Sequence, residues 1–242
     1  MIKLIENESL EAAKAYCAGD PFGCRILAAL NAYGIDKPFA LFWAQYDESG
    51  KITAVLSRLD TAMTICAKCE YDTEEIDCFV QSTVGDIGAL RPVRSGEAAT
   101  GLVMRLAERR INENTSDVEI NPEISDLYTV MEECAGKGFE VPPFDAFYGD
   151  MIYRKKAKTA LSAIVRVDGM PVSCGAMHLS DNTAVLVMCA SAPEHRGKGY
   201  TRRVVNALLN KTEGRDIYLM CLPFLHDFYE KFGFATVGGF IY

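Results

Sequence analysis

The chain has 242 residues, 49% of them apolar and 24% charged, which is enough for one large or two small domains with real cores. Its net charge of 25 − 33 = −8 argues against non-specific nucleic-acid binding, which needs cations on phosphates, and leans toward cationic partners such as amines. No apolar run reaches the roughly 18 residues that span a membrane, and Met1–Glu8 carries no signal-peptide pattern, so the cytoplasm is the expected location and no membrane partner is expected.

The first legible unit is a run of strands. Phe39–Tyr46, a turn at Asp47–Gly50, Ile52–Leu59 and Thr61–Ala67 read as a hairpin plus a strand. Lys68–Glu75 comes next, with carboxylates at Glu70, Asp72, Glu74 and Glu75 and no glycine. Nine cysteines, scattered through apolar contexts, read as reduced packing residues. Cys66 and Cys69, with Cys78 beyond, have the one metal-like spacing, but no second ligand pair accompanies them and no metal is expected.

Gly101–Ala107 reads as a strand, with a helix as the alternative. Arg109–Asp117 is polar and aperiodic and marks a boundary between residues 1–116 and 117–242. Val118–Ile120 is a short strand. Asn121-Pro122 opens a helix with Ile124, Leu127, Tyr128 and Met131 on one face, and Pro143 opens another toward Tyr153. Arg154–Lys158 is a basic cluster read as a solvated helix end.

The strand unit then recurs. Thr159–Val167, an Asp168-Gly169 hairpin turn, Val172–His178 and Thr183–Ala190 repeat the first pattern, and the third strands end alike, in Ile-Cys-Ala and Met-Cys-Ala. Beyond that point the two copies diverge. Pro193–Thr201 holds Gly197 and Gly199 among Arg196, Lys198, Arg202 and Arg203. It precedes a helix whose stripe is Val204, Val205, Leu208 and Leu209. Glycines before a helix start let backbone amides face an anion, and the helix dipole favours it there. The carboxylates after the first copy would repel the same anion. Further on, Leu225–Phe234 places Leu225, Phe228, Tyr229 and Phe232 at helical spacing, which by itself makes Tyr229 a core aromatic.

The loop resembles the pyrophosphate loop of the GNAT N-acetyltransferases, whose pattern Arg/Gln-x-x-Gly-x-Gly/Ala reads here as Arg196, Gly199 and Thr201, with Thr in place of Gly/Ala. Phe228, Tyr229, Glu230, Lys231, Gly233 and Phe234 resemble the same family's downstream helix, with Leu222 where Asn and Leu225 where Ala are usual. The order from Val118 (strand, two helices, three strands, helix, strand, helix, strand) is also that of the family. The resemblance implies an α/β (α+β) fold of two GNAT-like halves, each a mixed, mostly antiparallel sheet flanked by helices. Residues 1–116 would be degenerate and 117–242 would bind acetyl-CoA. The family closes with two strands. Here either the glycines of Ala235–Tyr242 split it in two, or another segment supplies the missing strand, with Gly101–Ala107 the candidate.

The resemblance also implies roles. Coenzyme A would meet the backbone of Cys189, Ala190 and Ser191, where the strand end splays from its neighbour, and the segment Arg196, Gly197, Lys198, Gly199, Tyr200 and Thr201. Tyr229 would protonate the departing thiolate by general acid catalysis. The family's usual carboxylate base is replaced by Val187 and Met188. His178 is the candidate base, with a structural histidine as the alternative; Glu194 and His195 are local alternatives, and His226 is read as solvent-facing. The expected activity is transfer of an acetyl group from acetyl-CoA to the primary amine of a small-molecule or peptide acceptor. A non-catalytic acyl-CoA-binding protein or a scaffold is the alternative, and homodimer formation is left open.

Overall fold

A computed structural model describes residues 1–85, 88–110, 114–136 and 140–242. In chain order the elements are β1 (Ile2–Leu4), α1 (Asn7–Cys17), α2 (Pro21–Tyr33), β2 (Ala40–Tyr46), β3 (Ile52–Leu59), β4 (Ala62–Cys66), α3 (Thr73–Val84), β5 (Arg91–Pro92) and β6 (Gly101–Leu106). Then come β7 (Val118–Ile120), α4 (Ile124–Glu133), α5 (Phe144–Ala157), β8 (Ala160–Val167), β9 (Met170–Leu179), β10 (Thr183–Ser191), α6 (Tyr200–Lys211), β11 (Asp216–Cys221), α7 (His226–Glu230) and β12 (Phe234–Ile241). The order strand, two helices, three strands, helix therefore occurs twice. Among the described residues no helix is long and apolar enough to cross a membrane.

Local chemistry accounts for the repeated hairpins. Asp168 and Gly169 both take positive φ, 50° and 82°, which is the primed-turn geometry that matches strand twist. In the first hairpin Asp47 accepts from the amides of Ser49 and Lys51, both at 2.9 Å, and closes the loop.

Helix α2 sits at the centre. Pro21, Phe22, Gly23, Cys24, Ile26–Leu30 and Tyr33 are all buried, so it is covered on nearly every side. Asp20 caps it by accepting from the amide of Gly23 at 2.8 Å. A Cβ at Gly23 would lie 2.1 Å from the carbonyl oxygen of Cys17, so only glycine allows α1 and α2 this close. The helix packs on β2, β3 and β4 of its own half and on β9, β10 and α5 of the other.

The first sheet has the order β1-β2-β3-β4, and the second β5-β12-β6-β11-β10-β9-β8-β7. Strand β6 lies between β11 and β12 and is antiparallel to both. It supplies the strand that the end of the chain lacks. β12 stays one strand through its glycines, with a bulge between Thr236 and Gly238. Leu90 bonds in parallel beside β4, and Arg91 and Pro92 then pair with β12, so this short run passes from the first sheet to the second. Val103 of β6 and Phe240 of β12 are buried in the same apolar cluster as α1 and α2. Thus residues before the expected boundary at 116 and 117 belong to the second sheet. Of the polar stretch at that boundary, Ile111, Asn112 and Glu113 lie outside the described residues.

Two expectations need correction. Arg154 does not end a solvated helix: its side chain is buried, bonds Asp150 at 2.8 Å and lies over the ring of Tyr33. The inter-helix contact with α2 covers it. All nine cysteines are free, but Cys69 and Cys78 are exposed rather than packed.

Candidate functional site

Strands β10 and β11 run parallel and pair from Thr183↔Asp216 to Leu186↔Leu219. There they part. The register of β10 on β9 jumps from Val187↔Ala176 to Ala190↔Cys174, and Met188 within the jump takes φ 55°. This is a bulge: Met188 and Cys189 oppose the single residue Gly175. Glycine is required there, since a Cβ would sit 2.8 Å from Val204 Cγ1, and Cys189 Sγ lies 3.4 Å away. β11 meanwhile continues to Cys221 against β6. The expected splay at Cys189, Ala190 and Ser191 is present.

The gap opens a cleft of about 910 Å³. Cys189, Ala190, Ser191, Arg196, Thr201 and Tyr229 line it together. From there the chain turns into the loop. Gly197 and Gly199 have φ of 75° and 83°, conformations that a side chain strains. Gly199 is the N-cap of α6 and offers no side chain to its first-turn amides. Lys198 is exposed beside them. Arg203 is committed to an ion pair with Asp117 and stacks on the ring of Tyr200.

The matching helix of the first half is closed to an anion. Asp72 caps α3 by accepting from the amide of Glu75 at 3.0 Å, and Glu74 and Glu75 occupy its first turn. Glu75 in turn accepts from the amide of Ile2 and from Gln45 Nε2. The positive end of that helix is already neutralised by its own side chains.

Tyr229 is 7% exposed, inside a cluster with Phe228, Phe232 and Phe234. Burial first, then the neighbouring Cys189, hold its phenol well above the ordinary tyrosine range. Burial pushes the Cys189 thiol up to about 12, and the neighbouring Tyr229 phenol only partly offsets this. Both groups are therefore neutral and protonated at pH 7. The core-aromatic reading and the acid reading of Tyr229 are compatible: the packing that buries the ring keeps its proton.

His178 is not in this cleft. It pairs with Val185 on β10, well before the bulge, and its side chain is buried near Arg154 and Arg25, on the face opposite Cys189 and α6. Burial, then Arg154 and Arg25, hold its imidazole well below the ordinary histidine range. His226 sits half-exposed on α7 beside Asp227, at 2.9 Å. Residues not anticipated from sequence join the cleft from α4 and its end, Glu133 and Cys134, and from the turn before α7, Phe224, which is 78% exposed. Ser173 on β9, buried behind the lining, accepts a hydrogen bond from Ser191. The sequence held no signal for these, because they depend on which loops meet.

Residues 124–234 match the model of the acetyltransferase (GNAT) family. That stretch, a little under half of the chain, is what is similar to the GNAT family. The GNAT fold extends over the whole molecule. A GNAT-family acetyltransferase from Colwellia psychrerythraea is 16% identical, with 99% of this chain and 97% of that one covered at a TM-score of 0.59. A tandem GNAT protein from the clavulanic acid biosynthesis pathway is 10% identical, with 99% and 96% covered at 0.56. A GCN5-related N-acetyltransferase from Sphaerobacter thermophilus is 12% identical, with 99% and 93% covered at 0.55. Such identities speak to the fold alone. Among curated proteins none matches this chain.

Proposed function

We propose that this protein transfers an acetyl group from acetyl-CoA to a primary amine, as its similarity to the GNAT family suggests, and that only the second half does so. One observation carries the reading: a buried, protonated phenol, the open backbone of a splayed strand and an uncapped glycine-led helix start converge on one cleft. The backbone of Cys189–Ser191 would take the pantetheine arm. The amides from Arg196 to Thr201, with Lys198 and Arg196, would take the pyrophosphate. The thioester supplies the acyl group when bound. Tyr229 holds a proton at Oη where a leaving thiolate would need it. The cleft would orient the two reactants.

No side-chain base stands on the bulged strand, since Val187 and Met188 are apolar and His178 lies on the other face. The acceptor amine would therefore arrive deprotonated, or lose its proton through water or to Glu133, the carboxylate that lines the cleft from the end of α4. The lack of a base on the strand itself favours a second reading, an acyl-CoA-binding protein without turnover.

Thermal unfolding with and without acetyl-CoA tests the first step. Ligand at about 100-fold its dissociation constant adds roughly 2.7 kcal/mol, a shift of several degrees. The Arg196→Ala/Lys198→Ala double variant should lose that shift. A panel of amines with the native chain and Tyr229→Phe then separates transfer from binding alone. No shift with any acyl-CoA would remove both readings.

A further inference from the structure

Beneath the loop runs a chain of hydroxyls. Ser173, fully buried on β9, donates from Oγ to the carbonyl oxygen of Ala190 at 3.0 Å. Ser191 Oγ donates to Ser173 Oγ at 2.8 Å. Ser191 Oγ and Thr201 Oγ1 are 2.6 Å apart. A hydroxyl has one proton, and that of Ser191 is committed to Ser173, so Thr201 is the donor in the last pair. The direction is set: Thr201 to Ser191 to Ser173 to Ala190.

Ser191 is also held from its backbone. Its carbonyl oxygen accepts from Arg196 Nε at 3.2 Å and from Cys134 Sγ at 3.1 Å. The end of β10, the end of α4, the loop and the first turn of α6 thus meet at one residue. Each hydrogen bond is modest by itself, but bonds in series reinforce one another, and this series is rooted on the fully buried Ser173. Thr201 stands where the GNAT loop pattern has Gly or Ala, and neither could donate to Ser191.

We propose that Thr201, Ser191 and Ser173 form a positioning unit that holds the glycine loop and the first turn of α6 on β10, so that their amides are aimed before any ligand arrives. The threonine hydroxyl is directed into the protein rather than toward a ligand. The consequence for acyl-CoA affinity rests on the function proposed above; the anchoring itself does not.

The test uses the full chain in two arms. Hydrogen exchange of the amides of Gly197–Arg203, without ligand, reads the anchoring. Calorimetric titration with acetyl-CoA reads its effect on binding. Thr201→Val keeps the branched shape and removes the donor; Thr201→Ser keeps the donor. Thr201→Val should speed exchange across the loop and weaken binding about tenfold, with Thr201→Ser within about twofold of native. Ser173→Ala should match Thr201→Val, and the double variant should add little, since the residues act as one unit. It also serves if Thr201→Val fails to fold. Unchanged exchange in Thr201→Val and Ser173→Ala overturns the proposal, as does equal damage in Thr201→Val and Thr201→Ser, which would assign the effect to packing of the methyl. Faster exchange in a protein whose native form binds no acetyl-CoA would uphold the anchoring and remove the function proposed above.

Discussion

The phenol of Tyr229 and the thiol of Cys189 face the same cleft, where β10 leaves β11, and each shifts the other's titration. Neither ionises readily, because both are buried; Cys189 further opposes charge on the phenol, while Tyr229 only partly offsets the burial of the thiol. Tyr229 thus has a proton and a soft partner that a better acceptor would displace.

Tyr229→Phe removes that proton and little volume. The expected outcome is a fall in kcat of about 10²- to 10⁴-fold, the usual range for a lost general acid, with acetyl-CoA affinity nearly unchanged. Because the phenol's pKa lies above the ordinary value of about 10, the active protonated form persists through that pH. A pH–rate profile should show no alkaline loss from Tyr229 below about pH 10. A limb near pH 8 that vanishes in Tyr229→Phe would contradict this.

His178 makes stability depend on pH. Its imidazole is buried neutral with a lowered pKa, so below about pH 6.5 the unfolded chain binds a proton that the folded one refuses. Stability present at pH 7 is lost as the pH falls, by at most about 1.4 kcal/mol per unit from this group. Urea midpoints at pH 7 and pH 5.5 should differ more for the native chain than for His178→Gln. Equal differences would mean that the imidazole titrates alike in both states.

Gly199 turns the chain into α6 with φ 83°. Gly199→Ala should cost roughly 1–2 kcal/mol of stability, and Gly199→Asn less, since asparagine tolerates the left-handed region. Chemical denaturation orders the variants. If alanine proves neutral, the loop has a second conformation.

Strand β6 stands between β11 and β12, so the halves are not separable at the polar stretch. A fragment of residues 117–242 leaves β12 without either neighbour and exposes the edge of β11. It should lack a cooperative unfolding transition. A two-piece protein, 1–116 co-expressed with 117–242, should regain one. Calorimetry on both decides it.

Several elements are legible because they are local. The two hairpin units follow from alternation, Asp168-Gly169 and the apolar runs around them. The helix after the loop follows from Val204, Val205, Leu208 and Leu209. The glycines at 197 and 199 announce a backbone that side chains would strain. Helix α2 is not legible: buried on nearly every side, it has no polar face to give it a period. Arg154 misleads for a similar reason, since a charged residue looks solvated until the helix that covers it is known.

The sequence by itself determined the repeated unit, the asymmetry between an acidic helix start and a glycine-led one, and the family that the loop resembles. Those features rest on residues within a few positions of one another. Only the tertiary structure decided that the missing strand comes from the first half, that His178 and Tyr229 lie on opposite faces of one sheet, and that Ser173 supports Thr201 through Ser191. Each depends on pairing between distant segments: side-chain facing follows strand register, and register is set by the whole sheet rather than by any strand alone.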